Sequence, residues 1–484
     1  MITVSYASAS RIAITSLATL LFSLASAQPP DNALLDPNTQ ADYVIITAED
    51  YVPVMEPLAS FREQHNNFSV VTITTEAIEN IFGQGIPPDS GVREFVTYAL
   101  TTWEDPKPQF FLLGGSVNAV PSHKEPGLEF IGEDSVLIDQ WFVEGVPDTM
   151  GYIRPAAAIG RLPGWDASQL STMIDKTIAY ESMSDSAWNA TSISVADYSQ
   201  DVGSIFEDQA RAAQEILASI WSDTVTVHVR EDSPFHLTRE QFRALVNQGA
   251  SLVSLVGYHE WYFFSESRYF TTWDADSLSN TNRLPFWLFS SSMRFEKEDT
   301  LSMATNLMLL PDKGAVGALG PTGHTFATSH FSFLANLLEE MVGDPAVGIG
   351  TSIMNLKRRD YRTGSRTSRI IGLLADPSLV IRTGLVTGFD HDAPTLPSET
   401  HLFQNYPNPF NPTTTFSFSI PYSSFTILSV YDLLGREVAT LVNERLGPGS
   451  YTKEWDATRQ ASGVYFYRLK AGDHVATKKL VLMR

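Results

Sequence analysis

Leu284-Pro-Phe-Trp-Leu-Phe-Ser-Ser-Ser-Met-Arg-Phe295 is the stretch on which the reading of this chain turns. Its apolar run from Leu284 to Phe289 reads as a strand of the fully buried type, and Ala250-Ser-Leu-Val-Ser-Leu-Val-Gly257 upstream has the same character. Working outward, Tyr43-Val-Ile-Ile-Thr47, Ser69-Val-Val-Thr-Ile-Thr74, Gln109-Phe-Phe-Leu-Leu-Gly-Gly115 and Ile193-Ser-Val-Ala-Asp197 are further strands. Helices fall between them, over 51–65, 89–103, 168–183 and 206–220; Val92, Phe95, Val96 and Ala99 supply the i, i+3, i+4 spacing of one buried face. Strands alternating with helices, and apolar without interruption, imply an α/β domain built on a mostly parallel sheet covered on both faces. Sites in such sheets lie at the carboxyl ends of the strands, where the segments ending at Gly257 and Phe289 converge.

The ends of the chain have a different character. Residues 1–27 carry one early positive charge, Arg11, then an apolar run from Ile12 to Leu24 and Ala25-Ser26-Ala27, the layout of a secretory signal peptide. The run is short of the roughly 20 residues a membrane span needs. Residues 28–41 are a polar, turn-rich lead-in, 42–383 the α/β body, 384–400 a linker with two prolines, and 401–484 a separate domain. Composition is that of a globular protein, 43 % hydrophobic and 11 % aromatic. A formal net charge of −22 disfavours nucleic acid and anionic lipid as partners. The absence of cysteine rules out disulfides and thiolate metal sites in an exported protein.

Seven segments, in order, resemble the gingipain-type cysteine peptidase family. They are Asp42-Tyr-Val-Ile-Ile-Thr-Ala-Glu-Asp-Tyr51, Gly85-Ile-Pro-Pro-Asp-Ser-Gly-Val-Arg-Glu-Phe95, Phe111-Leu-Leu-Gly-Gly115 and Ala158-Ile-Gly-Arg-Leu-Pro163, then Leu284-Pro-Phe286, Gly314-Ala-Val-Gly-Ala-Leu-Gly-Pro-Thr-Gly323 and Leu373-Leu-Ala-Asp-Pro-Ser-Leu379. The resemblance spans 42 to about 383 and implies a caspase-like fold and a Cys–His dyad, the histidine in a Gly-His-Gly turn after one strand and the cysteine at the end of the next.

This chain departs from that pattern at both partners. The first turn reads Val256-Gly257-Tyr258-His259-Glu260: the histidine is displaced by one residue, Tyr258 stands in its place, and Glu260 replaces the second glycine. On an extended chain a one-residue offset turns a side chain to the opposite face. The second turn offers Ser290-Ser291-Ser292 where the resemblance implies a thiol, with Ser292 best aligned. A serine hydroxyl stays protonated near neutral pH without a well-placed base and is a poorer nucleophile than a thiolate. His259 and Ser292 therefore mark a degenerate dyad, with Gly257, Tyr258 and Glu260 as oxyanion or orienting candidates. Asp139, Glu144 and Asp148 are weak calcium candidates; as scattered surface carboxylates they read more simply as solvated. Calcium is the one cofactor these residues leave open.

The last 84 residues carry an independent signal. Phe403-Gln-Asn-Tyr-Pro-Asn-Pro-Phe-Asn-Pro-Thr-Thr414, Thr426-Ile-Leu-Ser-Val-Tyr-Asp-Leu-Leu-Gly-Arg-Glu-Val438, Ala461-Ser-Gly-Val-Tyr-Phe-Tyr-Arg-Leu469 and Lys478-Lys-Leu-Val-Leu-Met-Arg484 read as short strands with Gly, Pro and Asn turns, a small β-sandwich. They resemble the C-terminal sorting domain of type IX secretion cargo. That resemblance implies export through the periplasm to the cell surface or medium, with the secretion machinery as partner of residues 401–484. The functional expectation is an exported gingipain-family pseudopeptidase that binds a peptide or protein in the ancestral cleft. The alternatives are an active endopeptidase using Ser292 and His259, or an accessory protein of the secretion apparatus.

Overall fold

The computed structural model describes residues 34–128, 135–147, 154–183, 187–198, 200, 203–290, 302–325, 327–360, 366–383 and 400–483, except 403, 406, 421–423, 447–448, 459 and 473. The signal-peptide segment 1–27, linker residues 384–399, Asp148 and Ser292 lie outside the described residues. The end of the lead-in joins the body: Leu34 and Ala41 are buried in its core.

The body opens with β1 (Tyr43–Thr47), α1 (Val52–Asn66), β2 (Val70–Thr74), α2 (Thr75–Phe82), α3 (Pro88–Thr102) and β3 (Phe110–Gly114). Proline opens α3 (Pro88) and sits in the first turn of α1 (Pro53), where its missing N–H costs nothing. Asn67 ends α1 in the left-handed region, at φ 55°. A small hairpin, β4 (His123–Pro126) and β5 (Ser135–Ile138), precedes β6 (Ala158–Leu162). Strands β2, β1, β3 and β6 lie side by side in that order, all parallel. Every residue of β1, β3 and β6 is buried, as a sheet covered on both faces requires.

The chain continues through α4 (Ala167–Ser182), β7 (Thr191–Ala196), α5 (Ile205–Leu217), β8 (Asp223–His228), α6 (Arg239–Gln248) and β9 (Leu252–Val256). Three two-residue strands follow, β10 (His259–Glu260), β11 (Phe263–Phe264) and β12 (Phe270–Thr271), then α7 (Thr272–Asp276) and β13 (Phe286–Phe289). The body closes with α8 (Met303–Leu309), β14 (Gly317–Pro321), α9 (Ala327–Gly343), α10 (Ile349–Asp360), α11 (Arg366–Ile370) and β15 (Ile371–Leu374). The second sheet has the order β15-β14-β13-β9-β7-β8, parallel except for β15. The carboxyl ends of β7, β9, β13 and β14 therefore share one edge.

The sequence pattern pointed to one mostly parallel sheet; the structure divides it into two. They meet where the turn after β15 packs on β6: a Cβ on Gly160 would stand 2.3 Å from the Ala375 carbonyl oxygen, and one on Gly350 2.5 Å from that of Pro377. Both glycines are needed for this close backbone approach. Arg62 of α1 reaches the same turn, its Nε 2.9 Å from Asp376 Oδ2, while Nη1 donates to Glu181 of α4 and to Asn66. Asp376 also accepts from the Ser378 N–H and hydroxyl, both at 2.8 Å.

Residues 401–484 form the expected all-β unit, with β16 (His401–Leu402), β17 (Thr413–Ile420), β18 (Ser424–Tyr431), β19 (Glu437–Leu446), β20 (Gly449–Asp456), β21 (Gly463–Ala471) and β22 (His474–Leu482). Two antiparallel sheets, β16-β17-β20 and β19-β18-β21-β22, share a core of Phe416, Phe418, Trp455, Tyr467 and Leu480.

Truncating Arg62 would leave two buried carboxylates without their cation. Arg62→Ala should cost about 3–5 kcal/mol in urea unfolding. The triple change Arg62→Met, Glu181→Gln, Asp376→Asn should recover part of that loss, because no net charge is left buried.

Candidate active site

Four strands, β7, β9, β13 and β14, end at the shared carboxyl edge of the second sheet. Asp197 follows β7, with its N–H donating to the Val256 carbonyl at 2.8 Å. Its carboxylate is buried and accepts from the Tyr198 N–H at 2.8 Å and the Tyr258 N–H at 3.2 Å. Burial raises its pKa above the usual carboxylate range, opposed by these hydrogen bonds and one from the Ser265 side chain. Gly257, after β9, packs directly on it: an added Cβ would stand 2.1 Å from the Asp197 Cβ. This glycine is required by packing.

Tyr258 is 40 % exposed and meets the Phe206 ring edge-on, with centroids 5.3 Å apart. Its N–H, adjoining the expected oxyanion position, is already bound to a carboxylate, which would oppose a second negative charge there. Its carbonyl accepts from the Ser265 N–H at 2.8 Å. The next two residues enter an antiparallel ladder, His259 opposite Phe264 and Glu260 opposite Phe263. Glu260 is exposed.

Ser290, the first residue after β13, donates its N–H to the Leu255 carbonyl at 2.8 Å. Its Oγ lies 3.0 Å from Nδ1 of His330 on α9, and the two residues are 4 % and 3 % exposed. Burial pushes the imidazole down to about 4, so it is neutral at physiological pH. The first serine of the triplet is thus tied into the interior. No family motif pointed to His330, and only its place on an amphipathic helix beside the sheet could have hinted at burial. Asp197 was not singled out either; the signal that could have found it is its place as the last residue of a buried strand at the carboxyl edge.

Two of the three calcium candidates, Asp139 and Glu144, are engaged elsewhere, and Asp148 lies outside the described residues. Asp139 forms a two-pronged ion pair with Arg161, both contacts at 2.7 Å, and Arg161 also donates to the carbonyls of Gly115, Val120 and Pro121. Glu144 is buried beside Lys357; burial raises the acid and lowers the lysine to about 8. Among the described residues no group of three or more His, Asp or Glu side chains is placed to hold a metal ion. Of the aromatic side chains near the edge, Phe264 and Trp287 belong to the core, whereas Trp273 is 66 % exposed and meets the half-buried Tyr262 edge-on.

Paired parallel sheets flanked by helices, with loops gathered at one carboxyl edge, define the caspase-like α/β class. Residues 36–382 match the model of peptidase family C25, and the chain belongs to that family. Residues 404–483 match the secretion system C-terminal sorting domain, which marks the chain for export to the cell surface or medium. Its fold is similar to that of the complex of Porphyromonas gingivalis RgpB pro- and mature domains, at 17 % identity and a TM-score of 0.59 over 91 % of this chain and 100 % of that one. It is equally similar to the Arg-specific cysteine proteinase gingipain R (RgpB), at 17 % identity and a TM-score of 0.59 over 93 % and 99 % of the two chains. No curated protein matches the sequence. No helix among the described residues is long and apolar enough to cross a membrane.

His330 makes the fold sensitive to acid. Its folded pKa lies below the ordinary 6.5, so between those values the unfolded chain binds the proton and the folded chain does not. This contribution is intact above pH 6.5 and is lost as the pH falls to about 4. Relative to His330→Gln, the wild type should lose about 3 kcal/mol over that window, read from urea midpoints at each pH.

Proposed function

We propose that this protein is an exported, catalytically inactive member of peptidase family C25 that acts as a binding protein at the cell surface or in the medium. One observation carries the reading: a chain of a cysteine-peptidase family contains no cysteine, so the family's nucleophile cannot form. The surroundings fit the same reading. Ser290 is buried against His330, and the Tyr258 N–H is bound to Asp197. The exposed ring of Tyr258 leaves apolar surface at the ancestral cleft, suited to a peptide or protein ligand held without turnover.

Purified mature protein should leave a broad quenched-peptide library uncleaved, at the rate of buffer alone. Ser292→Ala should behave identically. Wild-type cleavage that disappears in Ser292→Ala would overturn the reading and establish a serine peptidase working through Ser292. A gain of cleavage in Ser292→Cys would show that only the nucleophile had been lost.

A further inference from the structure

The turn between β18 and β19 presents two adjacent leucines to solvent, Leu433 at 67 % and Leu434 at 78 % exposure. Neither contributes to the core of the C-terminal domain. A two-stranded turn needs only residues that tolerate its backbone, and polar residues ordinarily serve. Exposed single leucines are common on protein surfaces; an adjacent pair at the tip of a fixed turn is a different matter.

The turn is fixed by Asp432. Its Oδ1 accepts from the Leu434 N–H at 2.9 Å and the Arg436 N–H at 3.0 Å, and Oδ2 accepts from Arg436 Nε at 2.7 Å. Backbone bonds run from the Asp432 N–H to the Arg436 carbonyl and from the Gly435 N–H to the Asp432 carbonyl, each 3.0 Å. Gly435, at φ 76°, takes a conformation that suits glycine. The leucines are therefore held in place before any partner arrives, which lowers the ordering cost of binding.

The neighbouring outer face carries two cations, Arg468 and Lys479, against one carboxylate, Glu437, which stands opposite Tyr431. Tyr431, the last residue of β18, sits opposite Phe466, which in turn sits opposite Lys479. The Arg468 guanidinium lies 5.3 Å from the Tyr431 ring centre. Phe466, Arg468 and Lys479 are all exposed. Within residues 401–484 basic side chains outnumber acidic ones, although the whole chain carries a net charge of −22. The acidic body of this chain is not the occupant, because both leucines stay exposed with the body in place.

We infer that the Asp432–Arg436 turn is the part of the sorting domain that inserts into its reader in the secretion machinery, an apolar cleft on an acidic surface. The inference rests on residues 401–484 being the export signal and names the element of that signal that makes contact. Seating a leucine in an apolar cleft is worth on the order of 10- to 100-fold in affinity. Arg468 and Lys479 would draw the domain toward an acidic surface without fixing its register.

The test is export of the full chain from a host with a type IX system, comparing the exported and cell-retained fractions. The arms are wild type, the pair Leu433→Ser with Leu434→Ser, Phe425→Ser, and deletion of 401–484. The leucine pair should lower the exported fraction at least tenfold with the thermal midpoint of the purified chain unchanged. Phe425→Ser, altering an exposed side chain away from the turn, should export normally. Normal export of the leucine pair, with the deletion retained in cells, would sink the inference and leave the sorting assignment standing. Normal export of the deletion would remove the assignment and the inference together. If the serine pair lowers the midpoint, Leu433→Gln with Leu434→Gln repeats the test, and wild-type export of that folded pair overturns the inference.

Discussion

The body depends on a charge that has no access to water. Arg62 is fully buried, between Asp376 on the turn after β15 and Glu181 near the end of α4. One guanidinium thereby joins a helix of the first sheet, a helix leading to the second, and the turn where the two sheets meet. Burying three charged groups is costly by itself, so such a cluster says more about which arrangement is selected than about net stability. Its geometry admits little slack. Asp376 must accept from Arg62 and from Ser378 together, and the turn must also fit against Gly160 and Gly350. Moving the sheets apart would break the Arg62–Asp376 pair and the Gly160–Ala375 packing together.

That constraint holds the frame while the edge above it changes. In a working cysteine peptidase the carboxyl edge must leave a nucleophile, a base and free amide donors facing a cleft. Here two polar groups at that edge are otherwise engaged, Ser290 with His330 and the Tyr258 amide with Asp197, while Ser292, the serine best aligned with a nucleophile, lies outside the described residues. Each contact is an ordinary way to satisfy a buried polar group. Both serve packing at the sheet edge, in a chain that contains no cysteine.

The two domains divide the work by the kind of surface they offer. The body is acidic and places its aromatic side chains mostly in the core. The C-terminal sandwich is small and basic, with its core filled by Phe416, Trp455 and Tyr467 and its most apolar exposed pair at a turn. A β-sandwich tolerates change at its turns because pairing and core are set by the strands. This leaves the turns available for recognition.

Although β6, β8, β14, β15, α6, α9 and α10 went unread as elements, the residues alone were enough for the class of the body, six of its strands, four of its helices, the order of α/β body and all-β unit, and the lack of a thiol. These follow from local periodicity, turn residues and residue identity, which need no partner in space. Helix ends shifted by one to three residues, as for the segments expected over 51–65 and 206–220 and found as Val52–Asn66 and Ile205–Leu217. Only the tertiary structure decided that the α/β pattern makes two sheets, because the contact between Gly160 and Ala375 joins residues over two hundred positions apart. The same holds for the partners of the buried polar groups. Nothing near Ser290 announces His330, and nothing near Asp139 announces Arg161, since hydrogen-bond partners across a sheet are set by how the chain returns and leave no local pattern to read.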